Sequence, residues 1–119
     1  MAKDKNAEER FRLNREIMLQ EQKEEDIRAE ERSLKQSIEH FKDQMDILFR
    51  QEEAYFVRLQ EKGALANNQD FALHEIKKEI GCLTESMKEQ LTTGYRAERN
   101  DNQDKLGKLQ RERNALTWD

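Results

Sequence analysis

Apolar residues recur every three or four positions through the first half of this chain, and that spacing leaves few folds open. With Leu13 at heptad position d, the d series runs Leu13, Gln20, Ile27, Leu34, Phe41, Leu48 and Tyr55. The a series runs Ile17, Glu24, Glu31, Ile38, Met45, Glu52 and Leu59. An α helix brings such positions onto one side, and a strand does not. The spacing predicts a helix over 7–62. Asn6 followed by Glu9 resembles a capping box at its start. Lys62 and Gly63 suit its end, a cation beside the last carbonyls and then a residue free to take positive φ.

Residues 63–70 read as a turn, in which Asn67, Asn68 and Asp70 offer oxygens to the free N–H groups of a second helix. That helix is expected over 71–116, from Leu73, Ile76, Ile80, Leu83, Met87 and Leu91, with Leu106, Leu109 and Leu116 resuming the pattern. Between them 92–104 holds Thr92, Thr93 and Gly94, poor helix formers. Two courses are open there, a continuous helix or a break that starts a third. Folding back about residue 66 pairs apolar with apolar: Leu59 with Leu73, Tyr55 with Ile76, Leu48 with Leu83, Phe41 with Leu91 and Ile27 with Leu106. Gly94 falls opposite Ile38, Glu31 near Asp101 and Asn102, and Leu13 near Trp118. This matching favours continuity, and the expected architecture is all-α: one domain, 1–119, folded as an antiparallel two-helix hairpin resembling a coiled coil.

The chain is 40% charged and 34% apolar, enough for narrow helical seams but not for a thick core. Its 26 acids and 22 bases are mixed along the sequence, the pattern of a solvated helical surface. Without an extended basic face, nucleic acid is not an expected partner. The single cysteine, Cys82, fits a reducing compartment and reads as a small filler beside the seam. No apolar run nears the roughly 18 residues of a membrane span, and "MAKDKNAEER" lacks a secretory core. The expected location is cytoplasmic, with any export proceeding without a cleaved signal.

Catalytic and cofactor chemistry find no constellation. His74 and Glu75 begin a zinc-protease pattern, but Lys78 stands where the second His belongs. His40 and His74 read as surface histidines. The glycines are scattered, and no His lies a turn from Cys82 to activate it. No enzyme, metal or cofactor is expected.

One feature exceeds what a hairpin needs. The e positions carry Glu21, Arg28, Lys35 and Lys42, then become Phe49 and Phe56. The seam widens there beside Phe41, Met45 and Leu59, with Ile47 and Val57 further round and Phe71 across the turn. We expect Phe41, Met45, Phe49, Phe56, Leu59 and Phe71 to bind a partner's helices, with mixed charges at the rim fixing register.

A long polar hairpin of this size, with aromatics gathered near its turn, resembles the small helical partner proteins of LXG-domain toxins in the type VII secretion system of Gram-positive bacteria. The resemblance implies a targeting factor or chaperone that packs beside the toxin's helical domain, together with a second small helical protein, and leaves the cell with its client. The W-x-G turn of some secreted members is missing. Phe71 and Glu75 have the F-x-x-x-E spacing, but at the start of the second helix, and Tyr95 is followed four residues on by Arg99 rather than an acid. The resemblance therefore suits a client-binding partner better than a carrier of the export signal. The apolar stripe alone also admits a self-associating rod, as a homodimer, or a stalk or adaptor of another secretion apparatus.

Overall fold

The computed structural model describes residues 6–63 and 67–116, with side chains placed for 6–63 and 71–116. The chain is an all-α hairpin of two long helices packed against each other, α1 (Ala7–Glu61) and α2 (Asn67–Ala115).

Helix α1 starts where the sequence places it. The carbonyl of Asn6 accepts from the amide of Arg10 at 2.8 Å, and Glu8 and Glu9 put negative charge on the first turn. It stops at Glu61, followed by Gly63 at φ 82°, with the Gly63 amide donating to the carbonyl of Gln60 at 3.0 Å. An L side chain would be strained in that left-handed conformation.

Helix α2 begins at Asn67, four residues ahead of the expected start, and it does not break. The caps expected from the side chains of Asn67, Asn68 and Asp70, and the approach of Leu13 to Trp118, lie outside the described residues. Through 92–104 the helix carries Thr92, Thr93 and Gly94 because the same stretch buries Tyr95 and Asn102. Packing of one face outweighs local propensity. Gly94 is not a close-approach site: a Cβ there would meet nothing within 4 Å.

The covered positions of α1 keep to a and d as far as Ile38 and then leave the d column: Leu13, Ile17, Ile27 and Ile38 are buried at d, a, d and a, and Phe49 is buried at e. Ile27, Ile38 and Phe49 stand eleven residues apart, as do Thr84 and Tyr95 in α2. An α helix of 3.6 residues per turn drifts about 20° per heptad against a strict seven-residue repeat. Leu34 lies three heptads beyond Leu13, a drift of about 60°, and the seam has moved to the next column of side chains. Lys35, Lys42 and Phe56 are half-buried, and the d residues Leu34, Phe41, Leu48 and Tyr55 are exposed. The lysines can lie there because their aliphatic stems cover apolar surface while the ammonium reaches water.

The chain divides into two compact units, Ser33–Leu91 and the remainder, Met1–Arg32 with Thr92–Asp119. In the second of these, Leu13, Ile17, Ile27 and Tyr95 are buried with a polar node. Asn102, 1% exposed, donates through Nδ2 to the backbone carbonyl of Gln20 at 3.0 Å and to Glu24 Oε2 at 3.2 Å. Arg99 pairs with Glu31, and Arg113 donates to Asn14 Oδ1 at 3.1 Å. Polar residues of both helices do meet in this unit, but Glu31 takes Arg99 rather than the expected Asp101 and Asn102.

Candidate functional site

The Ser33–Leu91 unit has a thin interior. Its buried side chains among the described residues are Ile38, Phe49 and Thr84. Around them α1 leaves Leu34, Phe41, Leu48 and Tyr55 between 40% and 51% exposed. Helix α2 leaves Ile76, Leu83 and Met87 between 42% and 59% exposed. Single exposed apolar residues are ordinary. These share one side of each helix, with Glu52 between Leu48 and Tyr55 and Glu79 between Ile76 and Leu83. The contiguous part, the kind that marks a binding site, runs from Leu34 to Leu48 and from Leu83 to Leu91.

Phe41, Leu34 and Ile38 from α1 face Leu83, Thr84, Met87 and Leu91 from α2 across a groove of about 620 Å³, completed by Ser37 and Gln90. None of these nine residues carries a formal charge, in a chain that is 40% charged. The hydroxyls at the groove are turned to their own backbone: Ser37 Oγ donates to the carbonyl of Ser33 at 3.1 Å, and Thr84 Oγ1 to that of Gly81 at 3.0 Å. Neither proton is left for a ligand, so the lining is more apolar than its composition.

The same absence of charge extends beyond the groove. Between residues 33 and 51 the charged side chains of α1 are Lys35, Glu39, Lys42, Asp43, Asp46 and Arg50. At 3.6 residues per turn all six fall within an arc of roughly 100°, on the side away from Phe41. Between 80 and 91 the charges of α2, Glu85, Lys88 and Glu89, likewise fall within an arc of roughly 100°, away from Met87. The charges bordering the helix pair interact with one another: Lys88 with Glu39, and Lys77 with Glu53 at 3.8 Å. The other unit has no such side, since charges surround α1 from Glu8 to Arg32.

The residues expected to bind a partner divide accordingly. Phe41 lines the groove and is 47% exposed, and Phe71 is 68% exposed. Met45, Phe56 and Leu59 are half-buried. Phe49 is 5% exposed and belongs to the hairpin's own interior, contrary to the expectation that it stays open. The e column closes the hairpin, and the d column is left over. Leu34, Leu48, Leu83 and Met87 were assigned to the seam and lie on the open face. Counting charges around each helix, rather than apolar residues along it, would have found them. Cys82 is exposed rather than a filler, and His40 and His74 are exposed.

Among the described residues no group of three or more His, Cys, Asp or Glu could hold a metal ion, and no helix is long and apolar enough to cross a membrane. A second depression, of about 440 Å³, lies in the other unit beside Arg10, Asn14 and Arg113. Arg113 is already bonded to Asn14 there.

Comparison with protein-family models, curated proteins and solved structures finds no match.

Proposed function

We propose that this chain is a non-enzymatic helical adaptor whose Ser33–Leu91 unit docks the helices of another protein. The observation that carries the reading is the uncharged apolar side shared by α1 and α2 around Phe41, Leu83 and Met87. A helix facing solvent on a free-standing hairpin is normally charged there. An apolar stripe wider than the two-helix seam is the pattern of helices in a larger bundle, where a, d and e positions all face inward.

The sequence resemblance supplies the kind of client: the helical domain of an LXG-type toxin, met in the cytoplasm and accompanied by this chain to type VII export. Docking there buries the d column of α1 against the client, and the charges flanking it set alignment more than affinity.

The test is co-expression with the helical domain of an LXG-type toxin. The wild-type chain is expected to co-purify with it at fixed stoichiometry, and Phe41→Glu with Met87→Glu to abolish the complex while far-UV circular dichroism stays helical. Retention of the toxin domain by the doubly substituted chain overturns the reading. A second reading, self-association, draws on the same lack of charge, since a neutral face presents no repulsion to its own copy.

A further inference from the structure

We propose that the open side of the Ser33–Leu91 unit is covered, when no client is bound, by the same side of a second copy of this chain, giving a symmetric four-helix arrangement over that unit. The proposal rests on the docking reading and names an occupant for the same face.

Area is the first argument. Large apolar side chains carry roughly 150–250 Å² when fully accessible. At the exposures observed, the four open residues of α1 and the three of α2 leave on the order of 600 Å² uncovered. That reaches the upper end of patches on ordinary monomers, about 300–600 Å². It also approaches the roughly 800 Å² per partner of a standard interface.

Charge is the second argument. A two-fold interface sets each residue against the same patch on its partner, so any charge on the face meets its like or must find an opposite within the face. Most surfaces of a chain with 22 bases and 26 acids fail that condition. This one meets it between Leu34 and Leu48 on α1 and between Leu83 and Leu91 on α2, where six charges of α1 and three of α2 are gathered on the far sides of their helices and where Glu52 and Glu79 stand only at the edge. In and beside that stretch Gln44 and Gln51 on α1 and Gln90 on α2 carry amides that both donate and accept, and so can pair with their own copies.

The interior is the third. Ile38, Phe49 and Thr84 are a small core for a unit of this size, and small helical domains commonly reach stability by oligomerising.

Sedimentation equilibrium of the full chain carrying Cys82→Ser tests this without interference from disulfides. The expected result at tens of micromolar is twice the chain mass of 14.3 kDa. Phe41→Glu should weaken the dimer at least ~100-fold, because a carboxylate would be desolvated at its centre. Asp43→Ala, on the charged side, should leave it unchanged. Should Phe41→Glu fail to fold, a second measurement decides. Ser37→Cys in the Cys82→Ser chain should be alkylated several-fold more slowly as concentration rises through the dimerisation range, whereas Asp43→Cys should not. A monomer at all concentrations, with Ser37→Cys alkylated at one constant rate, overturns the proposal. If such a monomer still loses LXG-domain binding on Phe41→Glu with Met87→Glu, the second copy falls and the client reading stands. If dimer and client complex both survive those substitutions, both fall.

Discussion

Phe41 and Phe49 lie eight residues apart on α1, and the hairpin closes over one and not the other: Phe49 is 5% exposed, Phe41 47%. On a helix, eight residues amount to a rotation of about 80° beyond two full turns. That rotation separates the seam the molecule fills for itself from the one it leaves open.

The two rings should therefore respond differently to truncation. Phe49→Ala is expected to cost about 3–5 kcal/mol, the range for removing a buried aromatic ring. Phe71→Ser, at 68% exposure, should change stability by less than about 0.5 kcal/mol. Urea unfolding followed by circular dichroism at 222 nm measures both. Equal effects would mean that the burial difference is not maintained in solution.

Glycine substitutions probe the course of the backbone. Gly94 lies inside α2, and a Cβ would meet nothing within 4 Å. Gly94→Ala should stabilise the chain by about 1 kcal/mol. Gly63→Ala forces an L residue into positive φ and should destabilise by about 1 kcal/mol. Opposite shifts of the urea midpoint are the expected outcome. A destabilising Gly94→Ala would argue that α2 bends or breaks at that point.

Asn102 holds the polar node together. Asn102→Ala removes the bonds to Gln20 and Glu24 at a buried position, so a loss of about 1–3 kcal/mol is expected. Asn102→Leu should recover much of that loss, because a buried polar group often costs more than an apolar one of similar size. It should also loosen alignment of the two helices, as polar residues in helical seams specify register. Spin-label distances between α1 and α2 near Asn102 should broaden in the leucine variant. A single sharp distance would remove the alignment role.

Alkaline pH should weaken the fold through Tyr95. Burial raises its pKa above the usual 10.0, and its hydrogen bond to Glu30 and the charge of Glu98 act in the same direction. A raised folded-state pKa gives stability that is fully present below the unfolded value and is lost as pH climbs through the folded one. The fall therefore begins near pH 10, and Tyr95→Phe should flatten it. Absorbance at 295 nm of the Tyr55→Phe chain should show Tyr95 ionising at higher pH when folded than when unfolded in urea. The same titration in both states would contradict the burial of Tyr95.

Helix identity, the hairpin and the end of α1 at Gly63 follow from spacing and end signals that are local in the sequence. The face of α1 that turns inward does not. Phe49 and Phe41 are equally apolar, and a heptad count started at Leu13 assigns them by a repeat of 3.5. The helix keeps its own period, and over three heptads the difference moves the seam by a column. Glu31 was matched with Asp101 and Asn102 by folding the chain evenly about residue 66, but pairing depends on where the turn residues allow α2 to start. It starts at Asn67, earlier than the apolar pattern suggests. Gly94 was read as a contact because small residues often are. Here the helix merely passes through it.

The eleven-residue interval between Ile27, Ile38 and Phe49 bears on how such a chain can change length. Removing seven residues from an arm twists everything beyond the cut by about 20° one way, and removing eleven twists it by about 20° the other way. Repeated cuts of seven alone would carry the sticky column around to where the charges now stand. Cuts of seven and eleven taken together, about five whole turns, leave Phe41 and its neighbours pointing the same way.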